Sequence, residues 1–369
     1  GEYFIRGVCY HPVPVGEDER SFESLAQDLA LMQDMGVNTI RVYEPIDSEV
    51  VLDEIHAAGI SVIVGIGYNQ GGVYDLLSGS YLDYIERFKS HPAILLWELG
   101  NEYNFHPEWF GGSLDVWYQT LRNASAAIQA SDPHHPVSTA HGELPDEALI
   151  AELTDIDLWG LNVYRWDVSY TAAMDFAKLS DKPMYFSEIG ADSYMSTAAL
   201  GYEQGVNQRA QANATRTLLE PLFSDSVPCA GATVFSFTDG WWKAGRLDVQ
   251  DAGGVAPASS GVPYDSDANE EHWGLVDIHR NPKQAYHVVK SLFQNNTAGM
   301  TDKTIEVYET SRHGGRFHAV DPAEVDRWSA AESEEGDVQV RVNRNERKQH
   351  IEGFGGSFTD ASAYLVHQM

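Results

Sequence analysis

Residues 81–102, YLDYIERFKSHPAILLWELGNE, contain a helix pattern, a break, a strand pattern and the polar residues that follow it. The first part spaces its apolar side chains by three and four residues, which predicts an amphipathic helix that ends before Pro92. The apolar run 93–99 is typical of a buried strand. Asn101 and Glu102 follow it almost at once, so a core strand ends beside an amide and a carboxylate. A chain built from such units is expected to form parallel strands joined by helices.

Seven further β-rich runs recur along the chain, with amphipathic segments between them. They are FIRGVCY (4–10), TIRVYEP (39–45), SVIVGIGY (61–68), PVSTAHG (136–142), IDLWGLNVY (156–164), PMYFSEIG (183–190) and GATVFSF (231–237). Eight units predict an α/β protein with a closed (β/α)8 TIM barrel over residues 1–295, finished by the helix NPKQAYHVVKSLF (281–293). The alternative is an open doubly wound sheet. That fold usually carries a glycine-rich phosphate loop after its first strand, and none follows FIRGVCY.

The charge balance narrows the classes of partner. The 369 residues include 24 basic and 55 acidic side chains, for a formal net charge of −31, which disfavours nucleic acid and anionic membranes. No apolar run reaches the roughly 18 residues of a membrane span. The chain begins at Gly1 without methionine, which suggests a processed or excised fragment, and we expect a secreted or periplasmic protein.

The two cysteines, Cys9 and Cys229, are too few for a disulfide framework or a zinc site. Their places at opposite ends of neighbouring predicted strands indicate that they remain unbridged. We predict no metal and no cofactor.

Polar and aromatic residues follow the predicted strands. In a barrel the carboxyl ends of all strands meet at one rim, where barrel enzymes keep their active sites. The residues brought there are Tyr10, His11, Arg41, Tyr43, Tyr68, Asn101, Glu102, His141, Tyr164, Glu188, Trp241 and Trp242. His11 and His141 could each line the site or serve as structural histidines, and the sequence leaves both possibilities open.

Two carboxylates stand out among these residues, because Glu102 ends the fourth strand and Glu188 ends the seventh. A carboxylate pair is what glycoside hydrolysis needs: one protonates the leaving oxygen, and the other attacks the anomeric carbon or activates water. A separation of about 5 to 5.5 Å would indicate retention through a covalent intermediate. Asn101 could bind the sugar hydroxyl beside the anomeric carbon.

The segments HPAILLWELGNE (91–102) and KPMYFSEIG (182–190) resemble the acid/base and nucleophile motifs of the retaining (β/α)8 glycosidases, the clan of the β-galactosidases, β-glucuronidases and cellulases. The resemblance implies Glu102 as general acid/base and Glu188 as nucleophile. It also implies that Arg41 and Tyr164 hydrogen-bond the nucleophile, where a cation and a hydroxyl would stabilise the ionised carboxylate.

The many rim aromatics, Tyr43 among them, suit stacking on sugar rings. The clan places a tryptophan at the end of strand eight, which implies Trp241 or Trp242 as the sugar platform without deciding between them.

The subfamily is left open by two conflicting likenesses. GVNTIRVYEPID (36–47) is similar to strand two of the glucanases and glucanosyltransferases that act on β-1,3-glucans. WGLVDIHRNPKQAYHVVK (273–290) is more like the β-galactosidase and β-glucuronidase side of the clan. We expect a retaining enzyme that acts on a β-linked oligo- or polysaccharide by double displacement, with a β-1,3-glucan as the leading substrate, as an endo-glucanase or a glucanosyltransferase. The alternatives are an exo-acting β-galactosidase or β-glucuronidase type and a non-catalytic carbohydrate-binding barrel.

The remaining residues, 296–369, are expected to form a linker and the partial start of a second module. NNTAGMTDK (295–303) is polar and glycine-bearing, as linkers are. QHIEGFGGSFTDASAYL (349–365) resembles the first barrel strand of the glucosylceramidase and β-1,6-glucanase group. The alternative is a glycine-rich surface loop.

Overall fold

The computed structural model describes residues 3–69, 73–224, 226–252, 254–256, 265 and 267–295, together with the backbone of 308–309 and 318–319. Eight parallel strands close a barrel, in which every strand pairs with its sequence neighbours and the last strand pairs with the first. The strands are β1 Ile5–Cys9, β2 Thr39–Val42, β3 Ser61–Ile66, β4 Ile94–Asn101, β5 Val137–Gly142, β6 Trp159–Asn162, β7 Met184–Ile189 and β8 Gly231–Val234. The predicted TIM barrel is confirmed.

Helices surround the barrel, and each lies between strands or after the last one. They are α1 Leu25–Met35, α2 Glu49–Ala57, α3 Tyr81–Phe88, α4 Asp115–Ser131, α5 Glu147–Glu152, α6 Thr171–Leu179, α7 Gln208–Leu219 and α8 Gln284–Asn295. Side chains cap several of their first turns, such as Ser48, which accepts from the Val51 amide at the start of α2. At the end of α1 the backbone turns at Gly36 with φ +81°, a left-handed conformation that glycine adopts without steric cost.

The barrel interior is divided into an apolar layer and a polar layer. Near the amino ends of the strands, an apolar cluster fills the barrel with Ile5, Ile63, Leu96, Leu158 and Tyr185. Above it the buried side chains become polar and charged, including Arg41, Glu98 and Glu188. Burial of charge is costly unless the groups are paired, so this polar layer points to a site at the carboxyl ends of the strands.

Three ladders shift register close to these carboxyl ends. The shifts lie between Leu99 and Asn101 on β4, between Leu161 and Asn162 on β6, and between Ala232 and Val234 on β8. An extra residue in a strand bends it and redirects the side chains that follow. The irregularities therefore lie where the predicted site residues leave the sheet.

The chain divides into two compact units, Gly1–Thr301 and Asp302–Met369. In the second unit the structure describes an antiparallel pair, Tyr308–Glu309 with His318–Ala319. The predicted linker and the glycine-rich segment 349–365 lie outside the described residues, so the division at residue 295 stays a prediction. Cys9 and Cys229 are both free thiols, as expected. Among the described residues, no helix combines the length and the apolar character required to cross a membrane.

Candidate active site

A cleft of about 770 Å³ opens at the carboxyl end of the barrel. It is lined from β1, β2 and β4 to β8 and the loops that follow them. The described lining residues are Cys9, His11, Asp18, Tyr43, Glu44, Asn101, Glu102, Phe105, Glu143, Asn162, Tyr164, Glu188, Phe235, Ser236, Thr238, Gly240, Trp242, Lys243, Glu270 and Trp273. Both predicted carboxylates are thus in one cleft.

Arg41, on β2, lies fully buried beneath the cleft and hydrogen-bonds to residues of two other strands, β4 and β7. Its Nη1 donates to Glu188 Oε1 at 2.9 Å, its Nη2 to Asn101 Oδ1 at 2.8 Å, and its Nε to Glu98 Oε1 at 2.6 Å. The guanidinium fork is rigid and planar, so these contacts fix the relative positions of the groups that share it. Glu98 in turn accepts a hydrogen bond from the Tyr185 hydroxyl.

Glu188 accepts hydrogen bonds from three donors. Oε1 accepts from Arg41 and, at 2.7 Å, from the Tyr43 hydroxyl, while Oε2 accepts from the Tyr164 hydroxyl at 2.9 Å. Burial raises the pKa of both tyrosines well above 10, and the charge of Glu188 adds to this effect. Both hydroxyls therefore remain protonated and donate to Glu188.

Glu102 lies in a different electrostatic environment. Burial raises its pKa from 4.5 to about 7, and the negative charge of Glu188 acts in the same direction, against a hydrogen bond with Asn162. Its backbone is left-handed, with φ +55°, and its amide donates to Ala140 O at 2.8 Å. Two residues earlier, Gly100 has φ +75°, and a Cβ there would lie 2.6 Å from the Trp117 ring. The chain thus needs glycine at this position to turn Glu102 into the cleft.

A chain of amides connects the two carboxylates. Asn101 Oδ1 accepts from Arg41 and also from Asn162 Nδ2 at 3.1 Å. Asn162 Oδ1 accepts from the Ser187 hydroxyl at 2.6 Å. The Oδ1 atoms of Asn101 and Asn162 thus accept hydrogen bonds within the protein. The Nδ2 group of Asn101 is the donor of that side chain and can bind a ligand.

The predicted aromatic and histidine residues differ in their position relative to the cleft. Trp242 and His11 line the cleft, with ring centroids 5.2 Å apart. Burial lowers the pKa of His11 to about 4, so its ring is neutral. Trp241 is not among the described lining residues, and its ring contacts His279. His141 is not among them either, since its Nδ1 lies 2.9 Å from Glu143 O and its ring packs near Trp159.

Several cleft residues were missed by sequence reasoning. Phe235 directly follows β8, and its ring lies 5.2 Å from that of Trp273, which comes from a loop nearly forty residues later. Trp273 also contacts the Tyr164 ring at 5.5 Å. The charge inside the apolar run LLWEL was the available signal for Glu98. Nothing in the local pattern marks Trp273, because its place depends on the return of a long loop.

Cys9 lies buried beside the charged groups. Burial raises the pKa of its thiol to about 11, and its Sγ lies 3.4 Å from Ser187 O. Within the described part of the chain, no group of three or more His, Cys, Asp or Glu side chains has a geometry that could hold a metal ion. The arrangement thus places two carboxyl groups, Glu102 and Glu188, and several hydrogen-bond donors in one cleft.

The chain resembles curated proteins named as 1,3-beta-glucanosyltransferases and as a mannan endo-1,4-beta-mannosidase. It is 24% identical over 315 residues to 1,3-beta-glucanosyltransferase gas4 of Schizosaccharomyces pombe, which covers 76% of this chain and 60% of the relative. A 1,3-beta-glucanosyltransferase of Arthroderma benhamiae is 23% identical over 52% of this chain and 42% of the relative. Mannan endo-1,4-beta-mannosidase F of Aspergillus clavatus is 33% identical over 29% of the chain and 30% of the relative. The chain thus spans 60% or less of each of these relatives.

Solved structures with the same barrel include a GH2 beta-galacturonidase from Eisenbergiella tayi, with a TM-score of 0.58 and 20% identity over 79% of this chain and 51% of the other. A beta-glucuronidase from Bacteroides uniformis has a TM-score of 0.59 and 19% identity over 84% of this chain and 36% of the other. No family model matches the chain. The predicted resemblance to the (β/α)8 glycoside hydrolases is confirmed by these comparisons.

Proposed function

We propose that residues 1–295 form the catalytic domain of a retaining β-glycosidase that acts on a β-glucan, with β-1,3-linked glucan as its preferred substrate. The observation that carries the proposal is the unequal treatment of two carboxyl groups in one cleft. Glu188 accepts hydrogen bonds from Arg41, Tyr43 and Tyr164, whereas the pKa of Glu102 is raised to about 7. Pairs of carboxyl groups with divergent environments are the acid and the nucleophile of glycosidases.

The first step forms an ester and releases the leaving sugar. A Glu188 oxygen attacks the anomeric carbon, the bond to the glycosidic oxygen breaks, and the Glu102 proton moves to that oxygen. Oε2 is the better placed attacking atom, because it accepts one hydrogen bond from the described residues whereas Oε1 accepts two. The donors on Oε1 hold the carboxylate in place during the attack.

The second step returns the enzyme to its starting state. Glu102, now ionised, takes a proton from water or from a sugar hydroxyl, and that oxygen attacks the anomeric carbon as the ester to Glu188 breaks. Asn101 Nδ2 donates to the hydroxyl next to the anomeric carbon in both steps. Whether the acceptor is water or a sugar decides between a glucanase and a glucanosyltransferase.

The β-1,3 linkage is supported by the names of the relatives with the longest matches, which are 1,3-beta-glucanosyltransferases. The mannosidase match is shorter but has the higher identity, so β-1,4-mannan is the second candidate substrate. The galacturonidase and glucuronidase structures share the fold at 19–20% identity and support the exo-acting alternative less well. A polysaccharide substrate fits a secreted or periplasmic enzyme.

Product analysis tests the proposal. The protein is incubated with β-1,3-gluco-, β-1,4-gluco- and β-1,4-manno-oligosaccharides and with aryl β-galactoside and β-glucuronide. NMR follows the anomeric configuration of the first product. We expect cleavage of the β-1,3-glucan with retention, and any products longer than the substrate identify transfer. Binding without cleavage would favour the carbohydrate-binding alternative, and inverted products would refute the nucleophile assignment.

Replacing the nucleophile provides the control for that assay. Glu188→Gly should abolish cleavage of the oligosaccharides, yet it should permit synthesis from a glycosyl fluoride of opposite anomeric configuration, because the vacated space admits that donor. Full activity of this variant would contradict the role of Glu188.

A further inference from the structure

We propose that the ion pair between Lys243 and Glu270 restricts the cleft to neutral sugars and excludes hexuronic acids. The inference rests on the proposed glycosidase function and adds to it the residues that select the charge of the substrate. Lys243 Nζ lies 3.3 Å from Glu270 Oε2, and both side chains line the cleft.

The two arginines nearest the cleft, Arg41 and Arg165, already form ion pairs with carboxylates of the chain. Arg41 is held by Glu98 and Glu188. At the opposite rim, Arg165 Nε donates to both carboxylate oxygens of Glu143, at 2.9 and 3.1 Å. Neither guanidinium is available to receive the carboxylate of a ligand.

Behind the loop after β2, Arg20 donates to the carbonyl oxygens of Glu44 and Pro45 at 2.7 and 2.8 Å. Among the described residues that line the cleft, Lys243 is the one cationic side chain, since the pKa of His11 is lowered to about 4 by burial. Six carboxyl groups line the same cleft: Asp18, Glu44, Glu102, Glu143, Glu188 and Glu270. A uronate would therefore meet an excess of negative charge.

Lys243 is placed where a ligand can reach it. Its Nζ lies 4.3 Å from the ring centroid of Phe235, the residue that follows β8. The Phe235 ring contacts Trp273, which contacts Tyr164, the donor to Glu188 Oε2. The lysine therefore belongs to the wall that adjoins the nucleophile.

The pair is also exposed enough to act on a ligand. The Lys243 side chain is 20% exposed and that of Glu270 is 37% exposed, so solvent and substrate compete for both groups. Ion pairs of this exposure contribute little to folding, and the removal of one partner should leave the fold intact. Its main effect is on the charge of the cleft wall.

The paired lysine can still donate to a sugar hydroxyl, but Glu270 cancels its charge. A ligand carboxylate near Lys243 would be attracted by the ammonium and repelled by Glu270 at similar range. Without the Glu270 charge, the ammonium becomes a free counter-ion for a hexuronate. A single isosteric change, Glu270→Gln, should thus move the specificity of the cleft toward acidic sugars.

The experiment compares β-1,3-gluco-oligosaccharides with the same oligosaccharides oxidised at C6 to glucuronic acid residues. Calorimetry measures Kd, and product release measures kcat/KM, for each substrate. The proteins are the wild type, Glu270→Gln, the double variant Glu270→Gln/Lys243→Gln, and Glu203→Gln. Glu203 is exposed and is not among the described lining residues, so its variant removes one charge outside the cleft.

We expect the wild type to prefer the neutral ligand, and we expect Glu270→Gln to reduce that preference by about tenfold or more. The double variant should restore the preference, because the freed ammonium is gone, and Glu203→Gln should behave as the wild type. Salt should weaken the preference of the wild type. Equal changes in Glu270→Gln and Glu203→Gln, or a wild type that binds both ligands alike, would overturn the inference.

The two proposals fail in different ways. A protein that binds the oligosaccharides but does not cleave them would refute the glycosidase function, and the ratio of the two Kd values would still test the Lys243–Glu270 pair. A protein that cleaves the neutral substrate with a preference that Glu270→Gln leaves unchanged would refute the pair alone. Absence of binding to both ligands would refute both.

Discussion

Replacing Glu102 by glutamine separates its chemical role from its cost to the fold. The pKa of this carboxyl group is about 7 in the folded protein against an ordinary value of 4.5, chiefly because of burial. A raised pKa means that the folded state holds the proton more tightly than the unfolded state does. The contribution of Glu102 to stability is therefore greatest below pH 4.5 and declines as the pH rises toward 7. Glutamine resembles the protonated acid and has no such dependence.

The size of the effect follows from that difference in pKa. For a fully buried carboxyl group, a pKa change from 4.5 to about 7 would correspond to about 3 kcal/mol of unfolding free energy. Glu102 retains partial exposure, which reduces the expected value to about 2 kcal/mol. Glu102→Gln should match the wild type in stability near pH 4 and exceed it by this amount at pH 8.

Urea unfolding at a series of pH values measures the difference. Groups that titrate elsewhere act equally on both proteins, so subtracting the two curves leaves the contribution of Glu102. Glu54→Gln, at an exposed position on α2, controls for the loss of one negative charge. A stability difference that does not grow between pH 5 and pH 8 would refute the electrostatic account.

The same variant tests the acid in catalysis. Without a proton donor, kcat for natural oligosaccharides should fall by about 10²- to 10⁴-fold, whereas activated aryl glycosides, whose leaving groups need little protonation, should lose much less. In the wild type, kcat/KM should decline above about pH 7 as Glu102 ionises, and the variant should lack that decline. Equal losses of kcat on substrates with good and with poor leaving groups would contradict the assignment of Glu102 as the general acid.

Three further changes have defined outcomes. Glu98→Gln removes one of the two carboxylates that pair with Arg41 and should lower the unfolding free energy by about 3 kcal/mol, measured in urea against the exposed Glu54→Gln. Similar losses in both variants would contradict a stabilising ion pair inside the barrel. Trp242→Ala should raise KM for oligosaccharides by about tenfold, because it removes a ring contact worth about 1 kcal/mol or more. Trp241→Ala should change KM by less than about twofold. A larger effect of Trp241→Ala would identify Trp241 as the ring that stacks on the sugar. Truncation after Thr301 should leave kcat/KM nearly unchanged and lower the melting temperature only slightly, and loss of folding would refute an independent catalytic domain.

The architecture could be predicted because burial leaves a strong pattern in the sequence. Every barrel strand is covered on both faces and is read as a short apolar run, as in SVIVGIGY. The connection rules for parallel strands then bring the polar residues after each run to one rim. This reasoning was sufficient to assign Arg41, Asn101, Tyr164 and Glu188 to the same rim of the barrel without any knowledge of distances.

Details that depend on loop paths and side-chain rotamers could not be predicted. Trp241 and Trp242 are neighbours in one short turn, and only the turn geometry decides which ring lines the cleft. His141 follows the strand pattern but turns to the backbone of its own loop. Glu98 was read as part of an apolar run, although a carboxylate at the centre of a strand requires a buried cation, which is Arg41.

Arg41 also makes the site a reporter of folding. It lies on β2, while its partners Glu98 and Glu188 lie on β4 and β7, so the hydrogen-bonded group spans the barrel interior rather than adjacent strands. A partly folded chain in which β7 and β8 had not yet joined β1 would lack the contact between Arg41 and Glu188. Recovered activity during refolding should therefore follow the final closure of the barrel, and it should lag behind spectroscopic signals from the helices, which form through local contacts.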